Sequence, residues 1–171
     1  DYVWISPFFK SPQKDFGYDV SDYRSVDKLF GSNVDFKNLL DVFHKKGLKV
    51  IVDLVLSHTS EEHEWFKRSI KSKDNKFSDW YVWQDGDPEI PPNKWLSVFG
   101  GSSWKWSEKR NQFYLHNFLE SQPDLNFHNE EVQNQMLNEI EYWIKFGVDG
   151  FRFDVINFLF HDTELRNNPY K

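Results

Sequence analysis

An arginine and an aspartate stand two residues apart in the segment GVDGFRFDVINF, residues 147–158. The apolar residues around them are typical of a strand, which we predict over residues 147–154. Alternate side chains of a strand share a face, so Arg152 and Asp154 point the same way. The guanidinium favours the ionised form of the carboxylate beside it, and a carboxylate at the carboxyl end of a strand can act as a nucleophile or an electrostatic catalyst. The alternative is a structural ion pair that fixes the strand end.

Two further polar segments follow predicted strands. Residues 15–23, DFGYDVSDY, belong to a loop rich in Pro, Gly, Ser and Asp, and residues 53–60, DLVLSHTS, end a strongly apolar run. Loops that follow the strands of a barrel lie on its catalytic face. His58 can donate a hydrogen bond to a hydroxyl whose charge changes in a reaction, whereas we expect Asp53 to orient its neighbours rather than to react. The alternatives are a solvated Asp/Gly turn in the first segment and a structural histidine in the second.

Together these segments resemble the conserved motifs of the α-amylase family, glycoside hydrolase family 13. The resemblance of GFRFDVINF implies that Asp154 is the nucleophile and Arg152 its partner. The D-x-G-Y-D pattern implies that Asp15 and Tyr18 line the pocket for the non-reducing-end glucose, where the carboxylate binds hydroxyls and the ring forms a wall. The D-x-x-x-N-H pattern implies that His58 hydrogen-bonds the sugar in the subsite that holds the reacting carbon.

One position departs from the family pattern, and two further segments indicate which branch of the family the chain resembles. Ser57 stands where the third motif has an asparagine that helps to hold calcium in α-amylases, which argues against that calcium site. The segment QPDLN, residues 122–126, resembles the signature of the oligo-1,6-glucosidase branch, and the H-D-x-x-L-R-x-N-P wording of residues 161–169 resembles proteobacterial-type α-glucosidases. The valine at position 155, directly after Asp154, resembles the residue at that position in family members that cleave α-1,6 links. The family has an inserted domain after the third barrel strand, and the resemblance implies that Phe118, in the corresponding part of this chain, reaches the glucose pocket.

The elements that would position these residues follow from the pattern of apolar residues. Residues 1–6 and 48–56 are short apolar runs that predict strands, and the second is typical of a strand buried on both faces of a parallel sheet. Residues 33–46 repeat apolar residues at helical spacing and predict a helix between these strands. Strand, helix and strand in succession indicate a right-handed βαβ unit. Residues 129–146 predict a second helix, which Asn129 caps.

The resemblance implies an α/β fold, a partial TIM (β/α)8 barrel that covers strands 2 to 4 with a domain B excursion after strand 3. We divide the chain into barrel residues 1–58, an excursion over residues 59–128, and barrel residues 129–171. The excursion has no sustained period, and residues 113–118 predict one of its strands. The chain of 171 residues is shorter than the about 250 residues of such a barrel and begins inside a predicted strand, so we expect an internal piece of a larger enzyme.

Composition argues against several classes of partner. The net charge is −6, and no basic cluster alternates with aromatic residues, so we expect no nucleic acid partner. No apolar run approaches the roughly 20 residues that a membrane span needs, so we expect no membrane partner. The lack of cysteine excludes disulfides and thiolate metal sites in the chain and is typical of a cytoplasmic protein. We expect no cofactor and no metal in the chain, while the resemblance leaves room for a structural calcium elsewhere in the full-length protein.

The function that the resemblance implies is that of an exo-acting, retaining α-glucosidase. Its substrates would be small oligosaccharides with terminal α-1,6 or α-1,4 glucosidic bonds, cleaved through a glucosyl-enzyme on Asp154. The acid/base glutamate and a further aspartate of the family lie beyond residue 171, so we expect the isolated chain to be inactive. Two alternatives stay open: a related enzyme that transfers glucosyl groups or acts on sucrose or trehalose, and a catalytically dead, amylase-like binding subunit.

Overall fold

The computed structural model describes residues 1–168, and within them it contains strands of two sheets, a short hairpin and three α-helices. In chain order the elements are β1 (Tyr2–Ile5), β2 (Phe9–Lys10), β3 (Asp22–Val26), α1 (Asn33–Lys45), β4 (Lys49–Val55), α2 (Glu64–Ser69), β5 (Trp83–Gln84), β6 (Trp104–Ser107), β7 (Gln112–Leu115), α3 (Glu130–Phe146), β8 (Gly150–Asp154) and a 3-10 helix (Ile156–Phe158). Residues 169–171, which end the last predicted barrel segment and the H-D-x-x-L-R-x-N-P stretch, lie outside the described residues.

A parallel sheet in the order β1-β4-β8 frames the molecule. The central strand β4 has nearly all of its residues buried, as predicted for a strand covered on both faces. The strands predicted over residues 1–6 and 48–56 are confirmed, each shorter by one residue at both ends. Across β4 and β8, Asp53 pairs with Arg152 and Val55 pairs with Asp154, so the register places two acidic residues around one arginine.

The beginning of β8 differs from the prediction. Gly147 adopts a left-handed conformation with φ 118°, and its N–H donates to the carbonyl oxygens of Trp143 and Ile144 at 3.1 and 3.0 Å. This is how a glycine ends a helix, so residues 147–149 form the turn between α3 and β8. The predicted strand over residues 147–154 is therefore three residues too long at its amino end.

Side-chain caps begin both long helices. In α1 the Ser32 hydroxyl accepts a hydrogen bond from the Asp35 N–H, and the Asp35 carboxylate accepts one from the Ser32 N–H. In α3 the Asn129 side chain accepts from the Glu131 N–H at 2.9 Å, which confirms the predicted cap. Among residues 1–168 no helix has the length and apolar character to cross a bilayer.

Trp143 lies at the centre of the core and is fully buried. The rings of Phe8, Phe9 and Phe36 surround it at centroid distances of 5.6, 5.1 and 5.6 Å. Its indole N–H donates to the carbonyl oxygen of Tyr23 at 2.7 Å, so its polar atom is also satisfied. This one side chain of α3 therefore joins α1, the segment after β1, and β3.

The excursion between β4 and α3 contains α2 and an antiparallel sheet in the order β5-β7-β6. The strand predicted over residues 113–118 is present as β7, which begins one residue earlier and ends three residues earlier. One part of the excursion packs into the main core, through Phe66, Trp80, Tyr81, Tyr114, Leu125 and Phe127. The rest has a small core of its own, formed by Val82, Trp104, Phe113 and Leu115.

Backbone hydrogen bonds hold both ends of the excursion at the carboxyl end of β4. The Thr59 N–H donates to the Pro123 carbonyl at 3.2 Å, and the Leu125 N–H donates to the Ser57 carbonyl at 2.9 Å. The Ser60 N–H donates at 2.8 Å to the carbonyl oxygen of Val20, in the loop after β1. The departing chain, the returning chain and this loop are thus fixed together beside the sheet edge.

Replacing Trp143 by alanine should lower the free energy of unfolding by about 3–5 kcal/mol, because the cavity would lie between well-packed rings. The matched control is Ile144→Ala, since Ile144 is the next residue of the same helix but is 54% exposed. That control should cost less than about 1 kcal/mol. Urea unfolding of the three proteins measures both values. Equal losses would show that Trp143 does not organise the core.

Candidate active site

Three segments meet at the carboxyl edge of the parallel sheet. The loop after β1 carries Asp15 and Tyr18, the segment after β4 carries His58, and β8 ends at Asp154. Tyr18 lies between the other segments, because its hydroxyl is 3.5 Å from Nη1 of Arg152 and its carbonyl oxygen is 3.2 Å from Nε2 of His58. The structure thus brings together the predicted residues of all three motifs.

Arg152 bridges two carboxylates. Its Nη1 lies 2.6 Å from Oδ2 of Asp53, and its Nη2 lies 2.8 Å from Oδ1 of Asp154. The Asp53 side chain is fully buried, the Asp154 side chain is 14% exposed and the Arg152 side chain is 46% exposed. The guanidinium also lies 5.6 Å from the centroid of the Trp4 ring, within cation–π range. Arg152 therefore compensates the buried charge of Asp53 and holds Asp154 at the end of β8.

The ionisation of this group follows from burial and from the guanidinium. Burial raises the pKa of the Asp53 carboxyl, and the hydrogen bond and charge of Arg152 act in the opposite direction. The hydrogen bond from Arg152 to Asp53 raises the pKa of the guanidinium, which stays charged at any working pH. Burial, followed by the charge of Asp53, raises the pKa of Tyr18, so its hydroxyl stays protonated. That hydroxyl donates to Oδ2 of Asp53 at 3.4 Å.

The position of Asp53 agrees with the expectation that it orients its neighbours. β4 ends at Val55 and His58 lies beyond it, so strand alternation does not fix on which side of the sheet His58 lies relative to Asp53. Both residues contact Tyr18, Asp53 at the hydroxyl and His58 at the carbonyl oxygen. Tyr18 therefore contacts the segment of residues 53–60 at two places, through its hydroxyl and through its carbonyl oxygen.

Asp19 folds the loop that carries Asp15. Its buried carboxylate accepts hydrogen bonds from the Ser11 hydroxyl at 2.8 Å and from the N–H groups of Lys14 and Asp15 at 2.9 and 3.1 Å. At Gly17, φ is 97°, and a Cβ there would lie 2.8 Å from a backbone carbonyl oxygen, so a side chain does not fit. The D-x-G-Y-D pattern is thus a loop structure as well as a source of binding groups.

Asp15 is a second carboxylate within electrostatic reach of Asp154. Burial raises the pKa of Asp15 most strongly, and the charges of Asp19 and Asp154 raise it further. The side-chain amide of Gln122 opposes them, because it donates to Oδ2 of Asp15 at 2.8 Å and stabilises the ionised form. Two carboxylates therefore face the same space from different segments.

His58 is a buried, neutral hydrogen-bonding group. Burial lowers its pKa to about 4, so the ring carries no charge at pH 7. Nδ1 lies 2.9 Å from the Ser57 hydroxyl, and Nε2 lies 3.2 Å from both the Tyr18 carbonyl oxygen and Nε2 of Gln122. A neutral ring nitrogen can either donate to the carbonyl or accept from the amide. For His58 to donate to a sugar hydroxyl, as the family resemblance implies, Nε2 must exchange its contact with Tyr18 for the substrate.

Phe118 and Val155 lie beside this group. The Phe118 ring packs at centroid distances of 5.0 Å against His58 and 5.3 Å against Phe158. Val155 directly follows Asp154, is partly buried, and has a left-handed backbone with φ 44° and ψ 40°. That conformation is uncommon for a β-branched residue. Their predicted contacts with substrate stay predictions.

Ser57, at the position that departs from the family motif, is fully buried and directs its hydroxyl to His58. Among residues 1–168 no three His, Asp or Glu side chains are grouped as metal ligands would be. The site offers a partly exposed carboxylate at Asp154, a permanent cation beside it, and neutral donors and acceptors on two sides. This arrangement suits the binding of an uncharged polar molecule against the Asp154 carboxylate.

Sequence reasoning missed one residue of this site and one pairing. Gln122 is fully buried and contacts Asp15 and His58, which lie 107 and 64 positions away in the chain. The only signal for it is the QPDLN segment, whose first residue turns out to face the site. The pairing of Asp53 with Arg152 follows from the register of β4 and β8, which the sequence does not encode in a readable pattern.

The chain is similar over its whole length to known proteins. The family model described as "Alpha amylase, catalytic domain" matches residues 1–171. A protein of Rhizobium meliloti (strain 1021) named "Probable alpha-glucosidase" is 58% identical over 170 residues, which are 99% of this chain and 31% of that protein. The "Oligo-1,6-glucosidase" of Heyndrickxia coagulans is 49% identical over 171 residues, covering 96% of this chain and 31% of that protein. The crystal structure of the α-glucosyl transfer enzyme XgtA matches with a TM-score of 0.98 and 59% identity, covering 100% of this chain and 32% of that one.

The chain therefore spans 31% of the length of these two curated relatives. A further relative has a name that is not that of an enzyme: the amino acid transporter heavy chain SLC3A1 of Homo sapiens is 47% identical over 169 residues, covering 96% of this chain and 24% of that protein. Similarity to this segment thus extends to proteins named for glucoside cleavage, for glucosyl transfer and for amino acid transport.

Replacing Arg152 by leucine should lower the free energy of unfolding by about 1–3 kcal/mol at pH 7, because it leaves the Asp53 charge buried and unpaired. The loss is below that of a fully buried pair, since solvent screens the 46% exposed guanidinium. Adding Asp53→Asn should recover part of the loss. The control is Arg166→Leu, which breaks an exposed pair with Asp162 and should cost about 0–1 kcal/mol.

The cost of Arg152→Leu should also depend on pH. The pKa of Asp53 is raised in the folded protein, so the unpaired charge is fully present at neutral pH and disappears as the pH falls through that pKa. Urea unfolding at pH 7 and pH 4 measures the difference between variant and wild type. A loss of equal size at both values would mean that the unpaired Asp53 charge is not its cause.

Proposed function

Because the chain belongs to the α-amylase catalytic-domain family, we propose that it is the nucleophile-bearing part of an exo-acting, retaining α-glucosidase. In this proposal β1, β4 and β8 are the second, third and fourth strands of a (β/α)8 barrel, and residues 59–128 are its domain B. The single observation that supports it most is the group Asp53, Arg152 and Asp154, in which an arginine paired with a buried carboxylate holds a partly exposed carboxylate at the carboxyl edge of the sheet.

Asp154 would attack the anomeric carbon of the terminal glucose. The bond from that carbon to the leaving oxygen breaks as the bond to the Asp154 oxygen forms, and an acid elsewhere in the protein supplies the proton to the leaving oxygen. Water then attacks the same carbon, gives up a proton to the same group, and releases glucose with its configuration retained. The Arg152 guanidinium, whose Nη2 lies 2.8 Å from Oδ1 of Asp154, would hold that carboxylate at the end of β8 for the first step.

Asp15, Tyr18 and His58 would hold the glucose during both steps. An ionised Asp15 accepts hydrogen bonds from two neighbouring hydroxyls, as carboxylates do well. The Tyr18 ring gives an apolar wall for one face of the sugar, and its hydroxyl is already directed to Asp53. Neutral His58 offers a donor for one hydroxyl without adding charge.

The acid/base must come from outside this chain. Two carboxylates of the excursion, Glu120 and Asp124, lie shortly before α3. Glu120 forms an exposed ion pair with Lys105. Asp124 is fully buried and bonded to Asn117, and burial raises its pKa well above the usual range. These contacts do not involve Asp154, so in this proposal neither residue is the acid/base. The isolated chain should therefore be inactive, whereas the complete protein should cleave α-glucosides.

The substrates would be small oligosaccharides with terminal α-1,6 bonds, with α-1,4 bonds cleaved more slowly. Val155 lies next to the proposed nucleophile, and the segment QPDLN resembles the signature of the oligo-1,6-glucosidase branch. The relative of that name from Heyndrickxia coagulans supports this choice. Glucosyl transfer is the second candidate function, because the structural match to XgtA, a glucosyl transfer enzyme, is close in both sequence and fold.

Replacing Asp154 by asparagine should lower the kcat for isomaltose at least about 10^4-fold, the scale on which removal of a covalent nucleophile acts. The control is Asp162→Asn, a carboxylate on the same segment whose ion pair with Arg166 is exposed and lies outside the site. It should keep wild-type activity. Conversion of isomaltose to glucose alone supports hydrolysis, whereas glucose together with longer saccharides supports transfer, because the leaving group of isomaltose is itself glucose. A wild-type protein that cleaves neither isomaltose nor maltose would favour a binding subunit instead.

Replacing Val155 by alanine should shift the ratio of kcat/KM for isomaltose over maltose toward maltose. A change of about 1–3 kcal/mol in discrimination corresponds to about a 10- to 200-fold shift in that ratio, and a single methyl-bearing side chain can supply it. Val98→Ala, an exposed valine of the excursion, is the control and should leave the ratio unchanged. An unaltered ratio in Val155→Ala would remove residue 155 from the determinants of linkage.

A further inference from the structure

Gln122 connects three parts of the molecule through one buried amide. The side-chain Oε1 accepts a hydrogen bond from the Leu119 N–H at 3.0 Å, and the Gln122 backbone N–H donates to the Leu119 carbonyl at 2.8 Å. These contacts fix the orientation of the amide, because the oxygen is used within the excursion and the nitrogen must point the other way. The side chain is fully buried, so no solvent satisfies that nitrogen.

The nitrogen of this amide points into the site. Nε2 donates to Oδ2 of Asp15 at 2.8 Å and lies 3.2 Å from Nε2 of His58. Asp15 comes from the loop after β1 and His58 from the segment after β4, whereas Gln122 comes from the end of the excursion. The two N–H groups of one amide can thus donate to the Asp15 carboxylate and to the His58 ring, which belong to different segments.

We propose that Gln122 is a positioning residue that holds the Asp15 carboxylate and the His58 ring in the arrangement that binds glucose, and that joins both to the excursion. This inference rests on the proposed function, since it assigns a role to a residue of that same site. Gln122 does not contact the reacting atoms. It acts through the two side chains that do bind the sugar.

The physical need for such a residue lies in the two groups that it contacts. Asp15 is partly buried near the charges of Asp19 and Asp154, all of which disfavour its ionised form. An amide donor stabilises that form without adding a positive charge, so it does not compete with Arg152 for Asp154. An Asp15 that became protonated or turned away would lose the hydrogen bonds to two sugar hydroxyls.

His58 has the complementary problem, because its ring could take either tautomer. The Ser57 hydroxyl can donate to or accept from Nδ1, so it does not decide between them. Gln122 offers a donor and Tyr18 a carbonyl acceptor at the same ring nitrogen. Gln122 fits the tautomer whose proton is on Nδ1, and the Tyr18 carbonyl fits the one whose proton is on Nε2, so the amide keeps the ring in place without fixing its tautomer. A sugar hydroxyl that accepts the Nε2 proton takes the place of the Tyr18 carbonyl.

The test compares Gln122→Met with Gln122→Glu in the complete protein. Methionine fills a similar volume but has no donor, and glutamate keeps the shape but replaces the donor by an acceptor facing Asp15. The matched control is Gln112→Met, since the buried Gln112 donates to the Asp85 carboxylate at 2.9 Å within the excursion sheet, where no predicted site residue lies. The readouts are kcat and KM for isomaltose between pH 4 and pH 8.

Gln122→Met should lower kcat/KM about 10- to 100-fold, mostly through KM, as expected for losing a hydrogen bond to a charged group. The acidic limb of the kcat/KM profile should move to higher pH, because the pKa of Asp15 rises when the donor is lost. Gln122→Glu should move that limb further. Gln112→Met should leave KM and the limb unchanged.

A second measurement separates positioning from folding. In an Asp15→Asn background, Gln122→Met should add little further loss, since the group that it positions is already changed. Independent, additive losses, or Gln122 variants with an unchanged acidic limb, would overturn the proposal. If Gln122→Met does not fold, the limb of Gln122→Glu decides. A wild-type protein that is inactive on all α-glucosides would instead refute the proposed function, so the two failures are distinguishable.

Discussion

A buried carboxylate needs a partner to stay ionised, and the Asp53 side chain, fully buried in the central strand, is the constraint on which the site depends. Arg152 is the cation that meets this need, and the pairing of β4 with β8 brings it there. The other terminal nitrogen of the same guanidinium, Nη2, lies 2.8 Å from Oδ1 of Asp154 and holds that carboxylate. The arginine that compensates the buried charge of Asp53 therefore also orients Asp154, the nucleophile in the proposed function.

Buried polar groups likewise hold the loops that surround this pair. Asp19 gathers the N–H groups of the loop after β1, and Gln122 connects that loop to His58. Asp124, two residues after Gln122, is buried against Asn117, so the returning end of the excursion is fixed by polar contacts on both sides. Loops held in this way keep the side chains of the proposed glucose site in place without a large apolar core beneath them, because each broken contact would leave a buried group unsatisfied.

Sequence patterns predict the two long helices and the strands of the parallel sheet well, but they miss β2, β3 and most elements of the excursion, and they predict contacts between elements poorly. The helix over residues 129–146, its Asn129 cap and the buried strand β4 follow from local rules, since caps and apolar runs lie within a few residues of one another. The boundary error at Gly147 arises because the same glycine fits a strand pattern and a helix end. Contacts such as Gln122 with Asp15 join residues far apart in the chain, and no local rule reaches them. A family resemblance supplied the roles of Asp15, Tyr18 and His58, which single residue types do not imply.

Val155 shows how backbone and side chain can have opposite demands at one position. A left-handed conformation costs a β-branched residue about 1–3 kcal/mol, and glycine or asparagine would adopt it more easily. The conformation persists because β8 pairing fixes Asp154 on one side and the 3-10 helix, with Phe158 packed on Phe118, fixes the chain on the other. Valine gains nothing from this turn, so in the proposed function its contribution lies in its two methyl groups beside Asp154. This is the physical reason to assign linkage discrimination to a position where the backbone alone disfavours valine.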